Sequence, residues 1–264
     1  MRMNTHTSSI DAQAIKKYQA GLSADADKLY QLILDPDQQF IEVLLKNAAL
    51  SDDHLVILLK RRDLTTELID KIHQNRKQTL SHRLRLALTR NPATSGNLIR
   101  SILPYLRLFE LVDLCQLPGA SPDQKLAAER TIIQRLPTTP LGNKITLARR
   151  GSAGVVAELL KEGEPQLFNA CLGNPRLHEG AVYRFLRSSA ATAETISQVA
   201  RHERWKMRPN LRQAILKHPR TPDIWYLLWL PQLQLHLLKQ LRAASKAQPR
   251  KLSLIDNELE KRGM

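Results

Sequence analysis

Four segments of this chain align with one another without a gap, and this internal repetition limits the fold more than any other sequence feature. The segments are FIEVLLKNAALSDDHLVILL, LRLALTRNPATSGNLIRSIL, LFNACLGNPRLHEGAVYRFL and LRQAILKHPRTPDIWYLLWL. Their equivalent origins, Asn47, Asn91, Asn174 and His218, are separated by 44, 83 and 44 residues. Because 83 is close to two steps of 44, a degraded copy is predicted between Asn91 and Asn174, in LCQLPGASPDQKLAAERTII or NKITLARRGSAGVVAELL.

Apolar residues recur at fixed distances from each origin. Seven residues upstream of the origins are Phe40, Leu84, Leu167 and Leu211. Four residues upstream are Val43, Ala87, Ala170 and Ala214, and three residues upstream are Leu44, Leu88, Cys171 and Ile215. Eight residues downstream are Leu55, Ile99, Val182 and Tyr226. Eleven residues downstream are Leu58, Ile102, Phe185 and Trp229, and twelve residues downstream are Leu59, Leu103, Leu186 and Leu230. This spacing predicts a helix on each side of every origin, with these columns facing inward.

The residues between the two helices of each copy are typical of a corner. Asn and Gly tolerate the left-handed conformation in which many helices end, and a following Pro cannot continue the helix. A Ser or Thr can then cap the next helix, so we predict caps at Ser51, Thr94, Ser121 and Thr221. With typical helix lengths, the chain should form about 14 to 18 short helices. No segment alternates with a period of two residues, so we expect no sheet.

The stretch KHPRTPDIW is dense in reactive side chains, yet it coincides with one of these corners. Lys217 falls at a helix end, His218 and Pro219 in the corner, and Thr221 at the next cap. Because His218 shares its column with three asparagines and has no partner at metal-ligand spacing, we predict a structural and not a catalytic or metal-binding role. Arg220 and Trp225 have no structural role in this interpretation.

Helices with one apolar face must stack on their neighbours to bury it, which predicts an all-α fold and a right-handed α-solenoid. The "NPRTP"-like corners between short helices resemble the leucine-rich-repeat variant and HEAT-like families of helical solenoids, over roughly residues 36 to 240. Some leucine-rich-repeat variant proteins carry an iron–sulfur cluster in a cysteine-rich N-terminal region. The N-terminal third of this chain has no cysteine, so the resemblance implies no cluster, and we predict no cofactor.

We expect a flexible N-terminus over residues 1–9, a single repeat domain over 10–243, and a charged tail over 244–264 that could hold one helix. The two cysteines, Cys115 and Cys171, are too few for a disulfide scaffold, and the polar start MRMNTHTSSIDAQ has no apolar signal-peptide core. A cytoplasmic location follows. The most apolar stretch, IWYLLWLPQLQLHLL, is interrupted by proline, glutamine and histidine, so no transmembrane segment is expected.

The distribution of charge gives the strongest indication of function. The chain carries 40 Lys and Arg against 25 Asp and Glu, a net charge of +15, which favours anionic partners. Residues 1–59 have a net charge of −3, so an anion-binding surface is predicted in the later repeats. The candidate residues are Lys60, Arg61 and Arg62, then Arg149 and Arg150, and finally Arg201, Arg204, Trp205, Lys206, Arg208 and Arg212.

Two interpretations of the last cluster remain open. Its cations could neutralise phosphates while Trp205 stacks on a base. Alternatively, Trp205 fills a gap between helices while the charges stay solvated. A further set of cations, Lys46, Arg90 and Lys217, lies one residue before three of the origins, where it stabilises helix ends and could also form a basic ridge.

No segment carries a phosphate loop or a nucleophile elbow: PLGNKIT and RGSAG lack the required spacing and setting. The leading hypothesis is therefore a non-enzymatic helical-repeat scaffold that holds an anionic partner, either an acidic protein segment or nucleic acid. An enzymatic alternative is a DNA-repair enzyme similar to the HEAT-like alkylpurine DNA glycosylases, by analogy of fold alone.

A third hypothesis is a protein-only assembly subunit that docks through the apolar C-terminal repeat. The columns place Tyr226 and Trp229 inward but leave Trp225, Leu227 and Leu228 unexplained. The C-terminal tail is the expected cover for this terminal repeat, because end repeats have no neighbour on one side.

Overall fold

The computed structural model describes residues 12–246 and 248–263, and within them the chain forms eighteen α-helices, three short 3-10 turns and no strand. This confirms the all-α prediction; the expected flexible residues 1–9 lie outside the described residues. The helices are α1 Ala12–Leu22, α2 Ala26–Leu32, α3 Gln38–Leu44, α4 Asp52–Leu58, α5 Thr66–Arg76, α6 His82–Arg90, α7 Gly96–Ile102, α8 Leu108–Gln116, α9 Pro122–Arg135, α10 Leu141–Arg150, α11 Ala153–Leu160, α12 Pro165–Leu172, α13 Glu179–Leu186, α14 Ala193–Arg201, α15 Pro209–Lys217, α16 Asp223–Trp229, α17 Leu235–Ala244 and α18 Pro249–Lys261.

The chain forms two compact units, and the boundary between them lies inside α9, between Thr131 and Ile132. In each unit, a helix packs mainly on the helix two further along the chain. In the first unit α1 contacts α3 and α4 contacts α6, and in the second α10 contacts α12 and α13 contacts α15. None of the described helices has the length and hydrophobicity that crossing a bilayer requires.

The repeat columns account for much of the core. All four copies are buried in five of the six columns, including Phe40, Leu88, Val182 and Trp229. The column four residues upstream was expected to face inward, and that expectation is wrong. Its members are only half-buried in every copy: Val43, Ala87, Ala170 and Ala214. They lie at the margin of the core, where the surfaces of neighbouring helices meet solvent.

The origins do not adopt the left-handed conformation that the sequence suggested. Among the described residues only three glycines have a positive φ, and Asn91 is extended, with φ −81° and ψ 127°. Its side chain has a different role. The Asn91 amide nitrogen donates to the carbonyls of Leu59 (2.9 Å) and Arg61 (2.8 Å), while its Oδ1 accepts the N–H of Ala93 (3.0 Å). Asparagine is selected here for its hydrogen bonds and not for its backbone freedom.

The same contact recurs along both units, and we call it a corner lock: a side chain near one corner donates to carbonyls of the corner two helices earlier. Asn47 reaches Gly21 and Ala24, and Asn174 reaches Ala148, Arg149 and Gly151. Gln124 donates to Asn91. Cations do the same elsewhere: Arg61, Arg76, Arg204, Arg220, Lys251 and Arg262. These locks satisfy carbonyls that helix ends leave unpaired.

The predicted hydroxyl caps divide into two kinds. Ser51 is the N-cap of α4, and the Ser121 hydroxyl accepts the N–H of Gln124 (3.2 Å) before α9. The predictions for Thr94 and Thr221 are wrong. Thr94 Oγ1 donates backward to Leu88 O (2.6 Å), and Thr221 Oγ1 donates to Ile215 O. Both threonines therefore close the helix before the corner instead of starting the next one.

In the KHPRTPDIW corner, Arg220 and Trp225, which the sequence left unexplained, both have structural roles. Arg220 Nη1 donates to Ser189 O (2.9 Å) and Ala191 O (3.0 Å), which makes it a corner lock. Trp225 is buried, and its Nε1 donates to Ser197 Oγ (3.0 Å).

Candidate anion-binding grooves

The predicted cluster at residues 60–62 separates into two functions. Arg61 is a corner lock, bonded to the carbonyls of Ile33 (2.8 Å) and Asp35 (2.7 Å), and it also forms a two-bond ion pair with Asp63. Hydrogen bonding to Arg61 lowers the pKa of the Asp63 carboxyl. Lys60 and Arg62 are exposed, so only these two cations of the cluster face solvent freely enough to meet a partner.

Arg149 and Arg150 lie in the last turn of α10, where a cation stabilises the negative end of the helix. Both are exposed. The backbone carbonyl of Arg149 accepts a hydrogen bond from Asn174 (3.2 Å). Since Arg204 donates to the carbonyl of Asn174 (2.7 Å), the second and third predicted clusters are joined through this asparagine.

Trp205 is buried, with 2% of its surface exposed, and its Nε1 donates to Leu172 O (3.0 Å). The guanidinium carbon of Arg204 lies 4.3 Å from the centre of the Trp205 ring, and its nitrogens donate to the carbonyls of Asn174, Pro175 and Leu177. The indole fills a gap between helices and Arg204 covers it.

The other cations of the 201–212 segment are engaged by neighbours. Lys206 pairs with Glu203 (2.6 Å), and Arg208 lies 3.8 Å from Glu179. Arg212 Nε donates to Lys206 O (2.7 Å), and the Arg212 guanidinium lies 5.2 Å from the centre of the Trp229 ring. The Arg201 guanidinium lies 5.9 Å from the ring of Trp225. Much of the charge in this segment therefore contributes to the structure of the second unit.

A concave surface between α4 and α6, which we call the first groove, encloses about 370 Å³. Its floor is aliphatic, and its lining within the described residues includes no carboxylate. Arg83 pairs with Asp53 (2.7 Å), whereas no ion pair forms at Lys60 or Arg90 within the described part of the chain. The lining residues are Val56, Leu59, Leu86, Ala87 and Leu117 for the floor and Lys60, Arg62, Arg83 and Arg90 for the rim.

A second groove lies between α13 and α15, as two adjoining cavities of about 580 and 410 Å³ that share Tyr183, Ala214 and Lys217. The exposed cations Arg187 and Lys217 line it. The Arg187 guanidinium lies 5.8 Å from the centre of the Tyr183 ring. Among the described residues, one carboxylate lines this groove: that of Glu179, at the end where it already faces Arg208 and Asn210.

His218 lies at the other end of the second groove, in the cavity that also contains Arg220. Its Nδ1 accepts the backbone N–H of Arg220 (3.1 Å), in the way that the origin asparagines use Oδ1. Burial lowers the pKa of His218, and the charges of Lys251 and Arg220 lower it further, although a backbone hydrogen bond with Ser188 opposes them. The neutral imidazole therefore acts as a hydrogen-bond acceptor in the corner.

Burial raises the pKa of both Cys115 and Cys171 to about 12. In the described part of the chain, no three His, Cys, Asp or Glu side chains come together in a group that could hold a metal ion. The arrangement that the grooves do provide is electrostatic: fixed cations beside aliphatic surface, suited to binding an anion without proton transfer.

Sequence reasoning missed Arg83 and Arg187, because neither lies in a run of cations. A signal was present in the repeat itself. Lys60 and Arg187 both stand thirteen residues after an origin, so comparing the columns would have placed Arg187 beside the groove. Comparisons of the chain with protein-family models, with curated proteins and with solved structures find no match.

Proposed function

We propose that this protein is a non-enzymatic helical-repeat scaffold, a right-handed α-solenoid that holds an anionic partner on a basic surface of its later repeats. Two features support the solenoid: helices pack on the helix two further along, and corner locks join corners at the same interval. This regular step is the way in which solenoid repeats bury their apolar faces.

The binding proposal rests on the second groove. It lies in the later repeats, where the sequence places the excess positive charge, and it presents exposed Arg187 and Lys217 beside the half-buried floor of Ala214. These two cations are not corner locks, so they are available to a partner. Opposite charge raises the rate of encounter and fixes the orientation of a bound segment.

Binding of poly-L-glutamate tests this function. We expect the double variant Arg187→Glu, Lys217→Glu to bind it about tenfold or more weakly at low salt, and the wild type to lose affinity as salt rises. The matched control is Arg100→Glu, Arg130→Glu, which changes the net charge equally at two exposed residues outside the groove. An equal loss of affinity in both double variants would show that the effect comes from overall charge and not from the groove. Absence of poly-L-glutamate binding by the wild type would contradict the proposal.

A second candidate function, a protein-only assembly subunit, is favoured by one observation on α16. Ile224, Leu227 and Leu228 are 50%, 58% and 48% exposed and stand at the i, i+3, i+4 positions of one helix face. The C-terminal tail contains α18, which packs on α16 and places Lys251 5.5 Å from the Tyr226 ring, yet the three aliphatic side chains stay exposed. Exposed apolar stripes of this kind mark protein interfaces.

Light scattering tests the assembly function. The wild type is expected to self-associate at micromolar concentration, and Leu227→Ser, Leu228→Ser to shift it toward the monomer. A monomer in both cases would count against it. The glycosylase alternative drew on Trp205, which is buried and unavailable to stack on an extruded base.

A further inference from the structure

We infer that the repeat builds the same binding groove twice, once in each unit, and that each groove holds an acidic peptide segment through both its carboxylates and an aliphatic side chain. This inference rests on the proposed function, and it adds the number of sites and the chemistry of the partner.

Two cations of each groove occupy the same columns of the repeat. Arg90 and Lys217 each stand one residue before an origin, and Lys60 and Arg187 each stand thirteen residues after the preceding one. All four are exposed. The last turn of one helix and the end of a neighbouring helix therefore place one cation on each side of both grooves.

Two floor residues of each groove also occupy the same columns. Ala87 and Ala214 stand four residues before their origins, and Leu59 and Leu186 stand twelve residues after the preceding ones. The alanines are half-buried, like the other members of their column. A small side chain there leaves a hollow between two packed helices, so the apolar floor and the cationic rim arise from the same repeat geometry.

The grooves differ at several equivalent lining positions: Arg62 and Ser189, Arg83 and Asn210, and Leu86 and Gln213. A further difference concerns aromatic surface. Nine residues after the origin, the first groove has Val56 and the second has Tyr183. The first groove has no aromatic lining residue among those described, and its five aliphatic residues offer nothing on which a base could stack. A ligand that satisfies both grooves needs negative charge together with aliphatic surface, which an acidic peptide with Leu, Ile or Val provides and a nucleic acid backbone does not.

The test uses three fluorescein-labelled probes with the intact protein. They are a twelve-residue peptide that repeats Glu-Glu-Leu, the same peptide with Ser in place of Leu, and a twelve-residue oligothymidine. We expect the Leu peptide to bind with a stoichiometry of two per chain and about tenfold more tightly than the Ser peptide, because only the former fills the aliphatic floor. Oligothymidine is expected to bind more weakly than the Leu peptide.

Substitution of the two equivalent alanines assigns the sites. Ala87→Glu and Ala214→Glu each place a carboxylate in one groove and should reduce the stoichiometry from two to one, and the double variant should weaken binding by at least about tenfold. Ala157→Glu, a half-buried alanine of α11 that lines neither groove, is the matched control. Lys60→Glu with Arg90→Glu removes the first site at exposed residues if Ala87→Glu fails to fold.

The outcomes separate the inference from the function on which it rests. A stoichiometry of one, or two sites that ignore both alanine substitutions, would overturn the repeated groove while leaving the anion-binding scaffold in place. Tighter binding of oligothymidine, or equal binding of the two peptides, would overturn the acidic aliphatic partner. Failure of all three probes to bind at low salt would overturn both.

Discussion

The Arg204 guanidinium lies over the Trp205 indole, 4.3 Å from the ring centre, while the indole Nε1 donates to Leu172 O (3.0 Å). The indole that the sequence offered as a base-stacking surface is therefore buried, and the exposed Arg204 covers it. Arg204 bonds to three carbonyls of the corner two helices earlier, and its planar fork makes this possible. The contact joins the corner between α14 and α15 to the corner between α12 and α13.

Arg204→Lys should lower the free energy of unfolding by about 1 to 3 kcal/mol, because an ammonium cannot keep both the stacking contact and all the carbonyl bonds. Urea denaturation followed by circular dichroism measures this. The anion-binding surface is predicted to be unaffected, so poly-L-glutamate affinity in the folded variant should equal that of the wild type. A stable variant with weakened binding would return Arg204 to the binding surface.

Asn174→Ala should cost about 2 to 3 kcal/mol, since it removes the donor for a set of corner carbonyls and the acceptor for the N–H of Arg176. Asn97→Ala is the matched control: this asparagine is exposed, and its loss should change stability by no more than about 0.5 kcal/mol. Thermal unfolding of both variants checks the difference, and equal melting temperatures would contradict the corner lock.

His218→Asn should reduce the dependence of stability on pH. The folded pKa of His218 lies below the ordinary value of 6.5, so the unfolded chain binds the proton more readily and stability falls as pH drops below about 6.5. Asparagine, which occupies this column in the other three copies, keeps an acceptor for the Arg220 N–H without titrating. The measurement is the free energy of unfolding at pH 7.5 and 5.5. His73 and His202, whose pKa values burial also lowers, remain in the variant and keep part of the slope.

Cys115 and Cys171 should react slowly with Ellman's reagent in the native protein. With a pKa of about 12, only ~10⁻⁴ of each thiol is ionised at pH 8. We expect both thiols to react about a hundredfold or more faster in urea. A rapid native reaction of either thiol would show that the burial described for it is absent in solution.

The sequence predicts much of this fold because apolar residues recur in the same columns of each repeat. Leu88, Val182 and Trp229 are buried as their spacing indicates, and helix periodicity alone suffices for that inference. The corners were harder to interpret. Asparagine before proline suggests a left-handed helix end, whereas Asn91 bonds to a corner some thirty residues away, and a contact at that distance leaves no local sequence pattern.

The candidate site was predictable in its charge and in some of its cations, since Lys60, Arg90 and Lys217 line the grooves. Runs of cations such as those at 60–62 and 201–212 draw attention, yet Arg61 and Arg204 bond to carbonyls within their units. Arg187 stands alone in the sequence and lines the second groove. Whether an arginine binds a partner or a backbone carbonyl depends on which helix packs opposite it, and that is a property of the tertiary structure.

Lysine acetylation followed by mass spectrometry, with and without poly-L-glutamate, tests whether the second groove binds an anionic partner. Lys217 lines the groove, whereas Lys161, also exposed, lies at the end of α11 and lines neither groove. We predict that poly-L-glutamate protects Lys217 from acetylation and leaves Lys161 unchanged. Equal modification of Lys217 in the presence and absence of bound poly-L-glutamate would contradict binding in the second groove.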